Sequence, residues 1–230
     1  MAPPDTPFEP SETAVGPGPA PSIDEHDDEP APAPPVVVVM VAHDPGDWFD
    51  ETVASLAAQD YPALSVLVVD AASTDGAGLR HRIADVLPDA HVRRIDENPG
   101  FATAANEALI AVQGAAFLLF CHDDVRFAPD AVRLLVEEAF RSNAGIVGPK
   151  LVDWADERRL LSVGMGSDRF GHPAPYVERG DLDQEQHDAV RDVFYIPGAA
   201  TLVRADLFEA IAGYDATITY HGEDLELCWR

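Results

Sequence analysis

Cysteine, positive charge and long apolar runs are all scarce in this 230-residue chain, and each scarcity closes a class of function. The two cysteines, Cys121 and Cys228, sit inside apolar or helical runs. That is the usage of buried thiols in a reducing compartment, not of a disulfide framework. No run of about 18 apolar residues occurs, so no segment is expected to span a bilayer. The N-terminus has neither the basic region nor the apolar core of a secretory signal. The expected location is therefore cytoplasmic. A Walker phosphate loop, a serine nucleophile elbow and a cysteine-rich zinc pattern are missing, and the histidines are scattered without ligand spacing. Fifteen Lys and Arg face 41 Asp and Glu, a formal net charge of -26. A field of that sign argues against nonspecific binding to nucleic acid or to an anionic membrane. If the substrate is itself an anion, a divalent cation has to stand between the two.

What is present suffices for one sizeable domain: 47% hydrophobic and 24% charged residues, ordinary for a globular chain. Residues 1–34 differ from the rest, with ten of the twenty prolines, eight acids and no Lys or Arg. Such a segment buries too little apolar surface to offset its chain entropy, and a disordered acidic, Pro-rich tail is expected there. The ordered domain is expected over residues 35–230. Val36 to Ala42 is a continuous apolar run, the pattern of a strand buried on both faces. Further strands are expected over 64–69, 91–95, 115–121, 146–152 and 195–203. Helices are expected over 47–58, 74–87, 99–112, 129–141, 205–211 and 222–230. Asn98 is the expected N-cap of the third helix, and Ser73 or Thr74 that of the second. Residues 164–180 are punctuated by Gly and Pro, and 181–192 are charged and helix-compatible, so a surface hairpin and a mobile loop are expected. The last helix runs to Arg230 without a stop signal, which predicts a longer native chain.

Strands that alternate with helices imply βαβ units and a mostly parallel sheet, in which ligands bind at the carboxyl ends of the strands. Three expected strands end in polar residues: Ala42-His43-Asp44, Asp70 and His122-Asp123-Asp124. Adjacent carboxylates there suit Mg²⁺ or Mn²⁺ bridging to a diphosphate, the alternative being a solvated turn in which Asp caps the next helix. Asp70 can accept from a base N–H or a ribose hydroxyl. In Asn98-Pro99-Gly100-Phe101, Gly100 permits close backbone approach and a helix start favours an anion. Asn106 is either a buried structural hydrogen-bonder or a donor-site residue. In Gly222-Glu223-Asp224, the acids suit a helix start by the dipole alone. The functional reading makes one of them a general base; adjacent helical positions face different ways, so only one of Glu223 and Asp224 can aim at a substrate.

The motifs VVDAASTDG, NPGFATAANEAL, an acid pair after a strand, PGAATLVR and GEDLELCWR follow an apolar first strand in that order. The chain thereby resembles the family 2 glycosyltransferases, especially bacterial rhamnosyl- and galactofuranosyl-transferase-like members, over roughly residues 36–230. The resemblance implies an α/β GT-A fold, a Rossmann-like α/β/α sandwich with a mostly parallel central sheet. It implies an inverting transfer of sugar from a nucleotide-diphosphate-sugar to the hydroxyl of a glycan or lipid-linked acceptor, in cell-envelope glycan synthesis. Ala42, His43 and Asp44 would line the nucleotide pocket, and Asp70 would contact the nucleoside. Asp124 would hold the metal with help from Asp123. Gly198 and Ala199 would lie near the donor sugar, with Gly100 and Asn106 also on the donor side. Asp224 would be the base beside Glu223, and Trp229 and Arg230 would shape the acceptor side. Residues beyond Arg230 would bring the domain to the inner face of the membrane. His122 and Ala71 stand where the family commonly has acids or Asn. Two other readings remain at this point: a sugar nucleotidyltransferase, although the loop Ala42 to Asp47 lacks the cation a triphosphate needs, and a non-catalytic transferase-like module.

Overall fold

The computed structural model describes residues 32–230. The tail expected over 1–34 lies outside the described residues except for its last three positions. From Ala33 the chain forms one compact unit.

Two successive βαβ crossovers open it: β1 (Val36–Ala42), α1 (Phe49–Ala57), β2 (Leu64–Ala71), α2 (Gly76–Val86) and β3 (His91–Ile95). The chain returns through α3 (Phe101–Ala105) and α4 (Ala108–Ala111) to β4 (Phe117–His122), on the other side of β1. Then α5 (Ala131–Ser142) leads to the short edge strand β5 (Ile146–Val147). Two small antiparallel pairs follow: β6 (Leu151–Val152) with β7 (Leu160–Ser162), and β8 (Met165–Ser167) with β9 (Pro173–Pro175). Finally β10 (Ala200–Arg204) re-enters the main sheet, followed by α6 (Ala205–Ala210) and α7 (Glu223–Trp229). The main sheet runs β3-β2-β1-β4-β10-β5, with the first four strands parallel and β10 antiparallel to both of its neighbours.

The period-two side-chain alternation of strands explains the three layers. Val36, Val38, Met40, Val66, Val68, Phe117 and Leu119 face α1, α2 and α5, where Phe49, Val53, Ile83, Val132 and Val136 meet them. Val39, Leu67, Val69, Leu118 and Phe120 face the other way, onto Ala102, Ala104, Ala105, Phe208, Tyr214 and Leu227 of α3, α6, α7 and their loops. Both faces are covered, so the central strands read as unbroken apolar runs. Because helices α1 and α2 lie on one face and α3 and α4 on the other, the strand order reverses between β1 and β4. A crevice at the carboxyl ends of those two strands follows from the topology.

Four local expectations need correction. The strand expected over 146–152 breaks at Gly148-Pro149 into β5 and β6, which belong to different sheets. A Cβ at Gly148 would sit 2.1 Å from Ile196 Cγ2, so this turn is packed too closely for a side chain. The helix expected over 99–112 is two short helices broken at Asn106-Glu107. Asn98 does not cap it; its side chain accepts the Gly100 N–H, and the helix starts at Phe101 behind Gly100, at φ +90°. Asp75, not Ser73 or Thr74, caps α2 by accepting the Gly78 N–H at 2.8 Å. In the surface excursion, β8 and β9 form a hairpin, and the helix-compatible residues 181–192 are turns in which the chain's single lysine, Lys150, pairs with Asp183 and Asp188 at 2.6 Å each.

Candidate active site

At the end of β1 the chain leaves the sheet at His43 and Asp44, each with a side chain nearly half exposed. Asp44 adopts φ +46° and is stitched to the end of β2. Its N–H donates to Ser73 Oγ at 3.0 Å, and its carboxylate accepts the Thr74 N–H at 2.6 Å and the Thr74 hydroxyl at 3.0 Å. Those two bonds from Thr74 hold the Asp44 carboxyl below its ordinary value. His43 Nδ1 donates to the Ala71 carbonyl at 2.6 Å. Ala42, expected to line the pocket, instead points its methyl into the core with no exposure. Ser73 and Thr74 therefore serve the strand junction rather than a helix cap.

Asp70 pairs with Ala42 in register and is 1% exposed. One carboxylate oxygen accepts the Ser73 N–H at 2.9 Å, and the other accepts from the Arg94 guanidinium. Arg94 also donates to the Ser73 carbonyl at 2.9 Å. A buried carboxylate persists only when it is paired and hydrogen-bonded in this way. The expected direct contact of Asp70 with a nucleoside is thus corrected: Asp70 shapes the turn beneath the crevice, and Arg94, 40% exposed, is the group that reaches solvent. Arg94 was not singled out in the sequence. The available signal was Arg93-Arg94 in a five-residue strand, where alternation sends Arg93 to Glu107 and Arg94 to Asp70.

His122, Asp123 and Asp124 close the end of β4. Asp124 is exposed, with its nearest Oδ1 3.9 Å from His122 Nδ1. Asp123 is half-buried; desolvation, and then the charge of Asp124, push its carboxyl above the ordinary value, against the opposing hydrogen bond from the His43 N–H. Two carboxylates that disfavour each other's ionisation are relieved by a shared cation, and hard oxygen donors fit Mg²⁺ or Mn²⁺. Among the described residues no group of three or more His, Cys, Asp or Glu side chains could hold a metal unaided. Diphosphate oxygens and water would have to complete the shell. The His122 ring packs edge-on against Phe101, centroids 4.9 Å apart.

Gly198 joins this end of the sheet to α7. Its N–H donates to Asp224 Oδ2 at 3.1 Å, while the His122 N–H donates to the Ala199 carbonyl at 3.1 Å. A Cβ on Gly198 would lie 3.7 Å from both Asp224 Cβ and His122 Nε2. Asp224 and the His122 ring at the end of β4 therefore flank one narrow gap beside Gly198. Asp224 Oδ1 accepts the Leu225 N–H at 2.7 Å. Glu223 makes no such bond: its Oε2 is buried and lacks a hydrogen-bond partner among the described residues. Of the adjacent acids, Asp224 is the one that accepts the Gly198 N–H.

Three further expectations shift. Gly100 does allow a close approach, but the approaching group is the Thr219 carbonyl, 2.6 Å from where a Cβ would be, and the five-residue α3 behind it offers no anion site. Asn106 spends its amide on Tyr214, donating to its carbonyl at 2.9 Å and accepting its N–H at 2.8 Å, so it is not a donor-site residue. Arg230, expected on the acceptor side, commits its guanidinium to backbone, donating to the carbonyls of Ile211 (2.9 Å) and Gly213 (2.7 Å). Trp229 stays 72% exposed and packs on Phe194, centroids 5.7 Å apart, an aromatic partner the sequence did not disclose.

A doubly wound α/β unit with acids at the switch point of its sheet belongs to the class that binds ligands in the crevice at the carboxyl ends of its strands. The chain matches the model of Glycosyl transferase family 2 over residues 37–212, and it belongs to that family. The match stops before α7, so Asp224 stands on geometry. The chain is 24% identical over 211 residues to the N-acetylglucosaminyl-diphospho-decaprenol L-rhamnosyltransferase of Mycobacterium tuberculosis, covering 83% of this chain and 68% of that protein. It is 28% identical over 199 residues to the O-antigen biosynthesis protein RfbC of Myxococcus xanthus, covering 84% of this chain and 16% of that one. Its fold is that of the mannosyltransferase PcManGT from Pyrobaculum calidifontis, solved with GDP-Man and Mn²⁺, with a TM-score of 0.61 at 22% identity. That likeness covers 86% of this chain, which spans about half (52%) of the mannosyltransferase chain. The expected GT-A architecture holds, and the nucleotidyltransferase reading falls away with the family match.

Proposed function

We propose that the domain transfers a sugar from a nucleoside-diphosphate donor to an acceptor hydroxyl with inversion at the anomeric carbon. The observation that carries this reading is the gap at Gly198, which has Asp224 on one side and on the other His122, the residue that precedes the Asp123–Asp124 pair at the end of β4. In a single displacement the acceptor oxygen bonds to the anomeric carbon as the bond to the leaving phosphate oxygen breaks. The acceptor proton passes to Asp224, held in place by the Gly198 N–H. Asp124, assisted by Asp123, would hold a divalent cation, which when bound supplies charge stabilisation for the leaving diphosphate. His43 and Asp44, fixed by the Ala71 carbonyl and Thr74, and the exposed guanidinium of Arg94 form the nucleoside side. Trp229 and Phe194 lie on the acceptor side.

A lipid-linked or envelope glycan acceptor is supported by the names of the mycobacterial and myxobacterial relatives. Among the described residues no helix is long and apolar enough to cross a membrane. We place the reaction at the cytoplasmic face, where the free thiols Cys121 and Cys228 remain reduced.

The test has two arms. Calorimetric titration with UDP-, dTDP- and GDP-linked sugars should show binding that requires Mn²⁺ or Mg²⁺. Asp224→Asn in the full-length protein should lower turnover by on the order of 10²–10⁴-fold while leaving donor affinity intact. Undiminished turnover refutes the base assignment, and metal-independent binding refutes the cation assignment.

A further inference from the structure

Asp224 sits in the first turn of a helix of seven residues, of which Leu227 is the buried one. At about 1.5 Å per residue such a helix is some 10 Å long and has little surface to hold its own angle. Its orientation must come from what precedes and follows it.

We propose that Asn106 and Arg230 are positioning residues for Asp224, acting from opposite sides on the loop Ile211–Tyr214; the proposal rests on the reading of Asp224 as the base. Asn106 stands at the break between α3 and α4, on the layer packed against the sheet. Its amide forms a two-bond clasp with the backbone of Tyr214, 108 residues away, at 2.9 and 2.8 Å. Both hydrogen-bonding ends of the amide are consumed. Gly213 makes the clasp possible: at φ +77°, a Cβ there would lie 2.3 Å from Asn106 Oδ1. Tyr214 is the anchor, its ring buried against Phe101, Phe120 and Phe208 at centroid distances of 6.0, 5.2 and 5.5 Å. Burial, followed by the charges of Cys228, Asp224 and Glu223, raises its phenol.

Arg230 closes the other side. It bonds the carbonyls of Ile211 and Gly213, which follow α6, and pairs with Glu226 one turn back on α7. The C-terminal end of α7 is thus fastened to the same loop that Asn106 fastens to the sheet layer. With both ends of the loop fixed, α7 has one register against Gly198, the register in which Asp224 meets the Gly198 N–H. An asparagine in the α3–α4 break and an arginine at the end of α7 hold the carboxylate without touching substrate.

The experiment is hydrogen exchange by mass spectrometry on the full chain, comparing the native protein with Asn106→Ala and Arg230→Gln. The readout is the Gly198 amide, whose acceptor is Asp224. We expect it to exchange about ten-fold faster or more in each variant, with β1 and β4 amides within about two-fold of native. With a donor that turns over, kcat should fall about ten-fold or more while donor KM stays within about two-fold. Unchanged Gly198 exchange overturns the proposal, and so does equal acceleration across the sheet, which is global loosening. If Asn106→Ala fails to fold, Arg230→Gln decides, since Arg230 is a partly exposed side chain at the surface. Should Asp224→Asn keep its turnover while Gly198 exchange responds as expected, the base reading falls and the clasp stands as the device that fixes α7.

Discussion

Glycine at position 198 needs no unusual backbone angle, yet it lies between His122 and Asp224 with room for one methyl group at ordinary contact distance. Its value is the space it leaves. Gly198→Ala should therefore fold with a stability change within about 0.5 kcal/mol, as for substitutions that neither clash nor unpair a polar group. The methyl would occupy the gap in which the proposed transfer brings acceptor and donor together, and kcat/KM should fall on the order of 10²-fold. Thermal melts and steady-state kinetics on the same preparation separate the two effects. Unaltered activity would show that the reacting groups do not pass between these side chains. Residue identity alone does not predict this: the PGAA turn could be seen in the sequence, but which two side chains it separates could not.

At the scale of elements, β4 carries both the site and the core. Phe120 is fully buried and packs on Phe208 and Tyr214, with centroids 4.6 and 5.2 Å away. Phe120→Ala should cost about 3–5 kcal/mol by chemical denaturation, the sum of lost transfer energy and a residual cavity. Because the cavity opens beside Tyr214, the loss should also loosen the α7 register. A cost below about 1 kcal/mol would mean that the layer collapses to fill the void, against the close packing of its aromatic cluster. Element existence was well legible in the sequence, since apolar runs and helical spacing are local properties. Element continuity was less so. The helix of 99–112 breaks where Asn106 is drawn to Tyr214, and the strand of 146–152 breaks where Gly148 meets Ile196. In each case the competing partner lies far along the chain. The charged run 181–192 has helical composition but is captured by Lys150 instead.

At the scale of the whole molecule, the net charge of -26 is a cost to the compact state as well as a barrier to anionic ligands. Of the 41 acids, eight lie in residues 1–34, so 33 face all 15 basic residues in the remainder. Screening shortens from about 10 Å at 0.1 M salt to about 3 Å at 1 M. The melting temperature should rise with sodium chloride over that range, as measured by differential scanning calorimetry. A fall would mean that attractive pairs such as Arg133 with Asp60 and Glu137 outweigh the general repulsion. On the proposed reading the same charge gives the acid pair at β4 its need for a divalent cation: a diphosphate would otherwise enter a site of its own sign.

By itself the sequence determined the layers, the polar strand ends and the placing of acids at the carboxyl edge of a parallel sheet. Those follow from periodicity and from the direction of βαβ units, both of which are written locally. Only the tertiary structure decided the partner of each polar atom. Asp70 went to Arg94, the Asn106 amide to Tyr214, Arg230 to Ile211 and Gly213, and Asp224 to the Gly198 gap. Hydrogen bonds are short and directional, so they form between whichever groups the strand order brings together. That order depends on the burial of the whole sheet, not on any neighbouring stretch of chain.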